Sequence, residues 1–149
     1  MEHERMQSWL AASLSDYTQD RIKAGESREQ AVATAKQSYA TLFPDGNPAA
    51  GHHVFDVQND DGVIVGFLWI GPQSEGPPEA WWVWDIAIEE DQRGKGYGRE
   101  TMRLGEGEVL LRGGTDLGLH VFGFNTTARA LYESMGYEPT SIRMSKKLT

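Results

Sequence analysis

An α+β fold, with helices packed on a mixed and mostly antiparallel sheet, follows from three features of this 149-residue chain. Two alternating segments flank Asn59-Asp60-Asp61-Gly62, whose Asp-Gly pair suits a tight hairpin turn. Two helix-periodic stretches precede that hairpin. After residue 80, apolar runs alternate with helix-compatible segments, which builds strand–helix–strand units.

The elements follow in order. Gln7 to Lys23 reads as a helix with Trp9, Leu10, Leu14 and Tyr17 near one face, and Gly25 stops it. Ser27 and Gln30 form a capping-box pair that opens a second helix running to about Leu42 through Ala31, Ala35 and Tyr39. Phe43 to Pro48 is a turn-rich break. His52 to Gln58 and Val63 to Ile70 are the hairpin strands, and Gly71 to Pro78 is a loop holding three of the six prolines. Ala80 to Ile88 is the next strand. Simple alternation puts Trp82, Trp84, Ile86 and Ile88 on one face and Trp81, Val83, Asp85 and Ala87 on the other. Both faces are apolar except at Asp85, as in a central strand covered on both sides. Arg99 to about Arg112 is a helix weakened at Gly105 and Gly107, and Gly113-Gly114 ends it. Leu117 to Phe122 reads as a buried strand, Asn125 to Met135 as a helix ended by Gly136, and Tyr137 to Leu148 as a final extended segment. There is no repeat or linker, so residues 1–149 are expected to form one domain.

Bulk composition narrows the function. The formal charge of −8 argues against nucleic-acid binding, which needs a basic surface, and suits a cationic partner such as an amine. No apolar run approaches the ~20 residues that span a bilayer, and Met1 to Arg5 lacks a signal-peptide layout, so a cytoplasmic protein without membrane association is expected. The absence of cysteine removes disulfides, thiolate metal sites and a cysteine nucleophile. His52-His53, His3 and His120 show no metal-ligand spacing, and no metal is expected.

Against this acidic background, Arg93-Gly94-Lys95-Gly96-Tyr97-Gly98 stands out. It follows the apolar run Ile86-Ala87-Ile88 and the acidic turn Glu89 to Gln92, and it leads into a helix that begins near Arg99. Glycines at alternate positions allow tight turns and close approach of a ligand. The N–H groups of a helix start favour an anion, and Arg93, Lys95, Arg99 and Arg103 add positive charge. The simplest ligand is a phosphate or pyrophosphate; a solvated basic turn is the plainer alternative. The dinucleotide pattern G-x-G-x-x-G and the P-loop pattern both fail here. The pattern R/Q-x-x-G-x-G/A is met by Arg93, Gly96 and Gly98. At the end of an apolar strand, it resembles the acyl-CoA pyrophosphate loop of the GNAT superfamily of N-acetyltransferases.

A second stretch strengthens the resemblance. Phe122 to Tyr137, with Asn125, Ala128, Leu131-Tyr132 and Gly136-Tyr137 in register, resembles the GNAT signature V-x-x-x-N-x-x-A-x-x-L-Y-x-x-x-G-[FY]. The two motifs stand in family order and the resemblance covers about Val54 to the C-terminus. It implies a sheet of about six strands flanked by about four helices, acetyl-CoA as co-substrate, and transfer of an acetyl group to a primary amine of a small molecule or peptide by direct attack in a ternary complex. It further implies that backbone groups along Ile86, Ala87 and Ile88 hold the pantetheine arm, with the N–H of Ile86 or Ile88 polarising the thioester carbonyl. Amides from Arg93, Gly94, Lys95, Gly96, Tyr97, Gly98 and Arg99 would hold the pyrophosphate.

In the second motif, Asn125 is an N-cap by position; by resemblance it, with Ala128 and Tyr132, contributes to the CoA site. Tyr132 lies two helical turns on, and is either a core aromatic or, by resemblance, the acid that protonates the departing thiolate. A phenol titrates near ~10 and a thiol near ~8.5, so Tyr132 would act mainly as a hydrogen-bond donor to the charge building on sulfur. Asp85, a carboxylate in an apolar strand, is a general base, a binder of the acceptor ammonium, or a group tied up by local backbone. The Trp81 to Trp84 cluster is core or lines an acceptor pocket.

Two departures from the family bear on the acceptor side. The first strand is short or missing, since only about six residues, Glu2, Glu4 and Arg5 among them, precede Gln7, and only Tyr137 to Leu148 remains for the closing hairpin, room for one long strand or a very tight pair. An exposed final strand would offer an edge for a homodimer. A noncatalytic acyl-CoA-binding module and an O-acyltransferase are the competing functions.

Overall fold

The computed structural model describes residues 1–149. The chain forms two compact units, Met1–Gly118 and Leu119–Thr149.

In the first unit, helix α1 (His3–Lys23) begins earlier than its apolar periodicity indicates, so residues 3–6 are helical and do not form a short strand. Helix α2 (Arg28–Leu42) is capped as its sequence indicates, with the Ser27 hydroxyl accepting from Gln30 N–H. Strands β1 (His53–Gln58), β2 (Ile64–Pro72), β3 (Ala80–Ile88) and β4 (Asp116–Gly118) lie side by side in chain order. The first three are antiparallel and β4 is parallel to β3, joined to it through α3 (Tyr97–Leu111). The hairpin turn forms where Asp-Gly places it: Asn59 Oδ1 accepts from both Asp61 and Val63 N–H, each at 3.0 Å.

The sheet has different cover on its two faces. Trp9 of α1, Tyr39 of α2, Phe43 at its C-terminal end, and Val54 and Trp69 of the sheet make an aromatic core, with Phe67 and Trp84 packed against it. The Trp9 ring meets Phe43, Phe67 and Trp69 edge-on at centroid distances of 5.4–5.7 Å, an arrangement that adds to area burial. The Tyr39 and Ser13 hydroxyls, 2.8 Å apart, satisfy each other between the two helices. Helix α3 covers the opposite face with Met102, Gly105 and Val109 buried. Leu68 of β2 faces α3 so closely that a Cβ on Gly105 would lie 2.9 Å from its Cδ2.

Three expectations need correction. The sheet has four strands rather than about six. Of the Leu117 to Phe122 run only Leu117 and Gly118 are strand, in β4, which pairs with no more of β3 than Ala80 to Trp82. Tyr137 to Leu148 forms no strand, and from Glu138 onward every residue is exposed. Pro139 lacks a donor, and Arg143, Lys146 and Lys147 leave little apolar face to bury.

A further correction concerns β3 itself. Asp85 pairs with Trp69, but the next partner, Ile70, pairs with Val83. Trp84 is therefore an extra residue, and a β-bulge resets the alternation. Trp81 and Val83 share the α3 face with Ile86 and Ile88. Trp82, Trp84, Asp85 and Ala87 share the α1/α2 face, where the Trp84 ring stacks on Trp69 at 5.4 Å.

In the second unit, α4 (Thr126–Ser134) is the one regular element. No helix of either unit is long and apolar enough to cross a membrane.

Candidate active site

The second half of β3 carries backbone groups that no strand uses. Glu89 N–H donates to Val65 C=O at 2.8 Å, which sets the phase of the β2–β3 ladder. In antiparallel alternation, Asp85 and Ala87 then turn their peptide groups toward β2, while Ile86 and Ile88 turn theirs away. Because β4 pairs no further than Trp82, the edge from Val83 to Ile88 has no strand beside it. Two of the four outward groups are met locally. Ile86 N–H donates to Asp85 Oδ1 at 2.9 Å, and Arg93 Nε donates to Ile88 C=O at 3.0 Å. The Ile86 C=O and Ile88 N–H complete an acceptor–donor pair along the edge. Ala87 is spent on the β2 ladder and its backbone faces inward.

The chain then passes through a 3-10 turn at Glu90–Gln92 into the glycine loop. Gly94 (φ 78°) and Gly96 (φ 83°) occupy the left-handed region, which explains glycine at both. A Cβ at either would meet nothing within 4 Å, so the outer side of the loop is open space. Gly96 is the N-cap of α3 and contributes no side chain; the first helical bond runs from Glu100 N–H to Gly96 C=O. Tyr97 and Gly98 N–H accordingly point out of the helix start, where the dipole favours an anion. Lys95 Nζ reaches Gln92 Oε1 at 3.0 Å, Arg99 lies in the first turn of α3, and Arg103 pairs with Glu100 at 2.8 Å. The basic residues thus frame the loop without filling it.

Asp85 lies on the other face of this strand, placed there by the bulge. Burial pushes its carboxyl above the ordinary range; the bond from Ile86 N–H opposes this, and the charges of Asp16 and Asp20 on α1 reinforce it. The residue is nonetheless exposed. That solvent access limits what the shift is worth energetically. Around it the aromatic frame is stiff. Trp69 Nε1–H donates to His52 Nδ1 at 3.1 Å, and Trp84 Nε1–H donates to Pro72 C=O at 3.3 Å. Burial holds the His52 ring below its usual pKa, with His53 contributing, so the neutral ring accepts the Trp69 proton. The bulge and the His52–Trp69 bond have no signature in a sequence whose alternation reads equally well without them.

In the second unit, Asn125 caps α4 as its sequence position indicates: its Oδ1 accepts from Ala128 N–H at 3.3 Å. That contact leaves the Asn125 side-chain NH2 as a donor. Tyr132 is half-buried, with its ring edge-on to Tyr137 at 6.0 Å. Gly136, at φ 95°, lets Tyr137 N–H return to Tyr132 C=O at 3.0 Å and end the helix.

The unpaired strand edge thus leads through the glycine loop into a helix start that has no side-chain cap. The family description "Acetyltransferase (GNAT) family" matches residues 7–137, and the chain belongs to that family. Among curated proteins it is 35% identical to the uncharacterized N-acetyltransferase YycN of Bacillus subtilis (strain 168), over 99% of this chain and 96% of that one. It is 29% identical to the uncharacterized N-acetyltransferase YdgE of the same organism, over 99% and 95%. The crystal structure of YycN superposes with a TM-score of 0.84, covering 100% of this chain and 96% of that chain. An aminoglycoside acetyltransferase, AAC(6')-Iy in complex with a CoA bisubstrate analogue, shares the fold at 13% identity, with a TM-score of 0.61 over 100% of this chain and 95% of that one.

Proposed function

We propose that this protein is an acetyl-CoA-dependent N-acetyltransferase that acetylates a primary amine of a small molecule or peptide. The observation that carries the reading is the continuous run from the outward-turned groups of Ile86 and Ile88, through open Gly94 and Gly96, to the uncapped start of α3. An extended amide-bearing chain ending in a pyrophosphate matches this run in order: Ile86 C=O and Ile88 N–H take the pantetheine amides, and N–H groups of the loop and helix start take the phosphates. Arg93 braces the strand end, and Lys95 and Arg99 supply positive charge. Asn125 offers its side-chain NH2 to the same ligand, beside Ala128.

The neutral amine attacks the thioester carbonyl within a ternary complex. The N–C bond forms as the C–S bond breaks, the amine proton passes to Asp85 directly or through water, and Tyr132 donates toward the departing thiolate. A backbone N–H at Ile86 or Ile88 meets the developing oxyanion. In this structure Ile86 N–H already bonds Asp85 Oδ1, so Ile88 is the readier donor. The chain has no cysteine, which rules out an acyl-cysteine intermediate.

Calorimetric titration with acetyl-CoA, wild type beside Gly96→Val/Gly98→Val, tests the cofactor half. Saturable binding lost in the variant is expected, and no binding by folded wild-type protein overturns the reading. Released CoA can be followed with a thiol reagent, free of protein background. Release that needs an added amine is the expected result; release with alcohols alone would make the protein an O-acyltransferase, and none with a broad acceptor panel would leave a binding module.

A further inference from the structure

A cavity of about 360 Å³ opens beside β3, lined by Gln73, Ser74, Glu75, Trp82 and Trp84. None of the groups assigned to acetyl transfer lines it. It exists because of the bulge: with simple alternation Trp82 and Trp84 would lie opposite Asp85, whereas the reset at Trp84 puts all three on the α1/α2 face. The lining has one ionisable side chain, Glu75, beside two indoles, an amide and a hydroxyl. Indole faces and a carboxylate attract a cation, and no lysine or arginine competes for the place.

The walls are held in position before any ligand arrives. One face of the Trp84 ring is stacked on Trp69, and its N–H is bound to Pro72 C=O. Trp82 lies against Gly118, where any Cβ would come within 2.5 Å of the ring. The loop is closed at its base by Gln73 N–H to Ala80 C=O at 3.3 Å and Ala80 N–H to Pro77 C=O at 3.0 Å. Trp82 and Asp85 are three residues apart, a rise of about 10 Å that the bulge shortens.

We propose that this cavity is an acceptor subsite for a second cationic group, so that the preferred acceptors are small diamines whose reacting nitrogen lies at Asp85 and whose other nitrogen stays protonated between Glu75 and the indoles of Trp82 and Trp84. The proposal rests on the N-acetyl-transfer reading. The separation along β3 suits nitrogens joined by about six carbons.

The test compares 1,6-diaminohexane with n-hexylamine, equal in chain length and differing in the distal charge. In wild-type protein, kcat/KM from acetyl-CoA-dependent thiol release should favour the diamine about tenfold. The preference should collapse toward unity in Glu75→Gln and reverse in Glu75→Lys, both changes in an exposed loop residue that leave the core intact. Equal kcat/KM for the two amines in wild type, or a preference that survives Glu75→Lys, overturns the subsite. A second measurement separates this from failure of the transfer reading. With five tryptophans in the chain, two of them in the cavity wall, 1,6-diaminohexane should quench fluorescence saturably without turnover. Quenching lost in Glu75→Lys, together with no thiol release from any amine, would uphold the subsite and overturn transfer. Absence of saturable quenching in wild type overturns the subsite whatever the turnover.

Discussion

Asp85 aside, the two halves of β3 are equally apolar, and they have opposite fates. Ala80 to Trp82 has β4 beside it, and with Val83 it serves the core, Trp81 being 8% and Val83 6% exposed. Trp84 to Ile88 has β2 on one side only, is half-buried or exposed throughout, and carries the groups assigned to the site. Residue type does not separate the halves; backbone pairing does. One inserted residue and an early end to β4 leave the second half of a structural strand with an open edge, the one proposed above to hold acetyl-CoA.

The largest effect should come from closing the ladder that holds the functional half. Gly66 pairs with Ile88, and a Cβ there would lie 2.2 Å from Ala87 C=O and 3.1 Å from Ile88 Cα. These are backbone atoms with no rotamer to retreat into. Gly66→Ala should cost about 3 kcal/mol or more, read as a fall in the urea midpoint, and the surviving folded protein should bind acetyl-CoA poorly. A variant with wild-type stability and binding would mean that the edge tolerates displacement and that its geometry is not what recognises the ligand.

Next is Asp85→Asn, where activity and stability should move in opposite directions. If Asp85 accepts the amine proton, kcat should fall about 100-fold, and the acid limb of the rate profile, set by a carboxyl raised above its ordinary value, should disappear. For stability the sign reverses. A carboxyl whose folded-state pKa is raised contributes stability below its unfolded pKa and loses it as pH rises through the folded one. At pH 7 the charged form is thus the less comfortable one, and Asn should raise the melting temperature slightly, a gain absent near pH 3. Because the side chain is exposed the rise should be small. An unchanged pH–rate profile would reduce Asp85 to a local cap of Ile86 N–H.

These two sites show where sequence suffices. The Asn59 to Gly62 turn, the Ser27 and Asn125 caps and the glycine loop each write their geometry into residue type over a few positions, and each is legible. The bulge is not. Trp82-Val83-Trp84-Asp85-Ile86 reads as a clean alternation, and the extra residue shows only once β2 supplies a register. The short β4 is illegible for the same reason, since its length depends on how far β3 keeps pace. The run Leu117 to Phe122 has strand composition but lacks a partner past Trp82. Local chemistry is encoded locally; which edge stays free is a property of pairing.

His52 tests the frame behind the bulge and should have a moderate effect. Its Nδ1 accepts from Trp69, the residue opposite Asp85, and its ring lies 5.3 Å from Trp84. A histidine whose pKa is depressed in the folded state gives stability above its unfolded pKa and loses it as pH falls through the folded one. Protonation would also replace the acceptor with a second donor facing Trp69. His52→Gln should cost about 1 kcal/mol in urea titrations at pH 8, and the gap to wild type should narrow toward pH 5. A gap that stays constant with pH would make the His52 contribution one of packing.

The smallest effect sharpens the comparison from the helix that follows the loop. Gly105 and Gly107 look alike in sequence, each a weak point in α3. They differ in what surrounds them. Gly107 faces open space, so Gly107→Ala should stabilise by up to about 1 kcal/mol through helix propensity alone. Gly105 faces Leu68 Cδ2 at 2.9 Å, the mobile end of a side chain that also contacts the core. There the same propensity gain is offset by displacement of Leu68, and Gly105→Ala should be neutral or mildly destabilising. Leu68 pairs with Ile86, so the displacement is transmitted to the functional half of β3, whereas the Gly107 change is not. Comparing acetyl-CoA affinity in the two variants therefore asks whether the strand edge is positioned by the packing of α3. A loss confined to Gly105→Ala means that it is; equal affinities mean that the β2 ladder alone holds Ile86 and Ile88 in place.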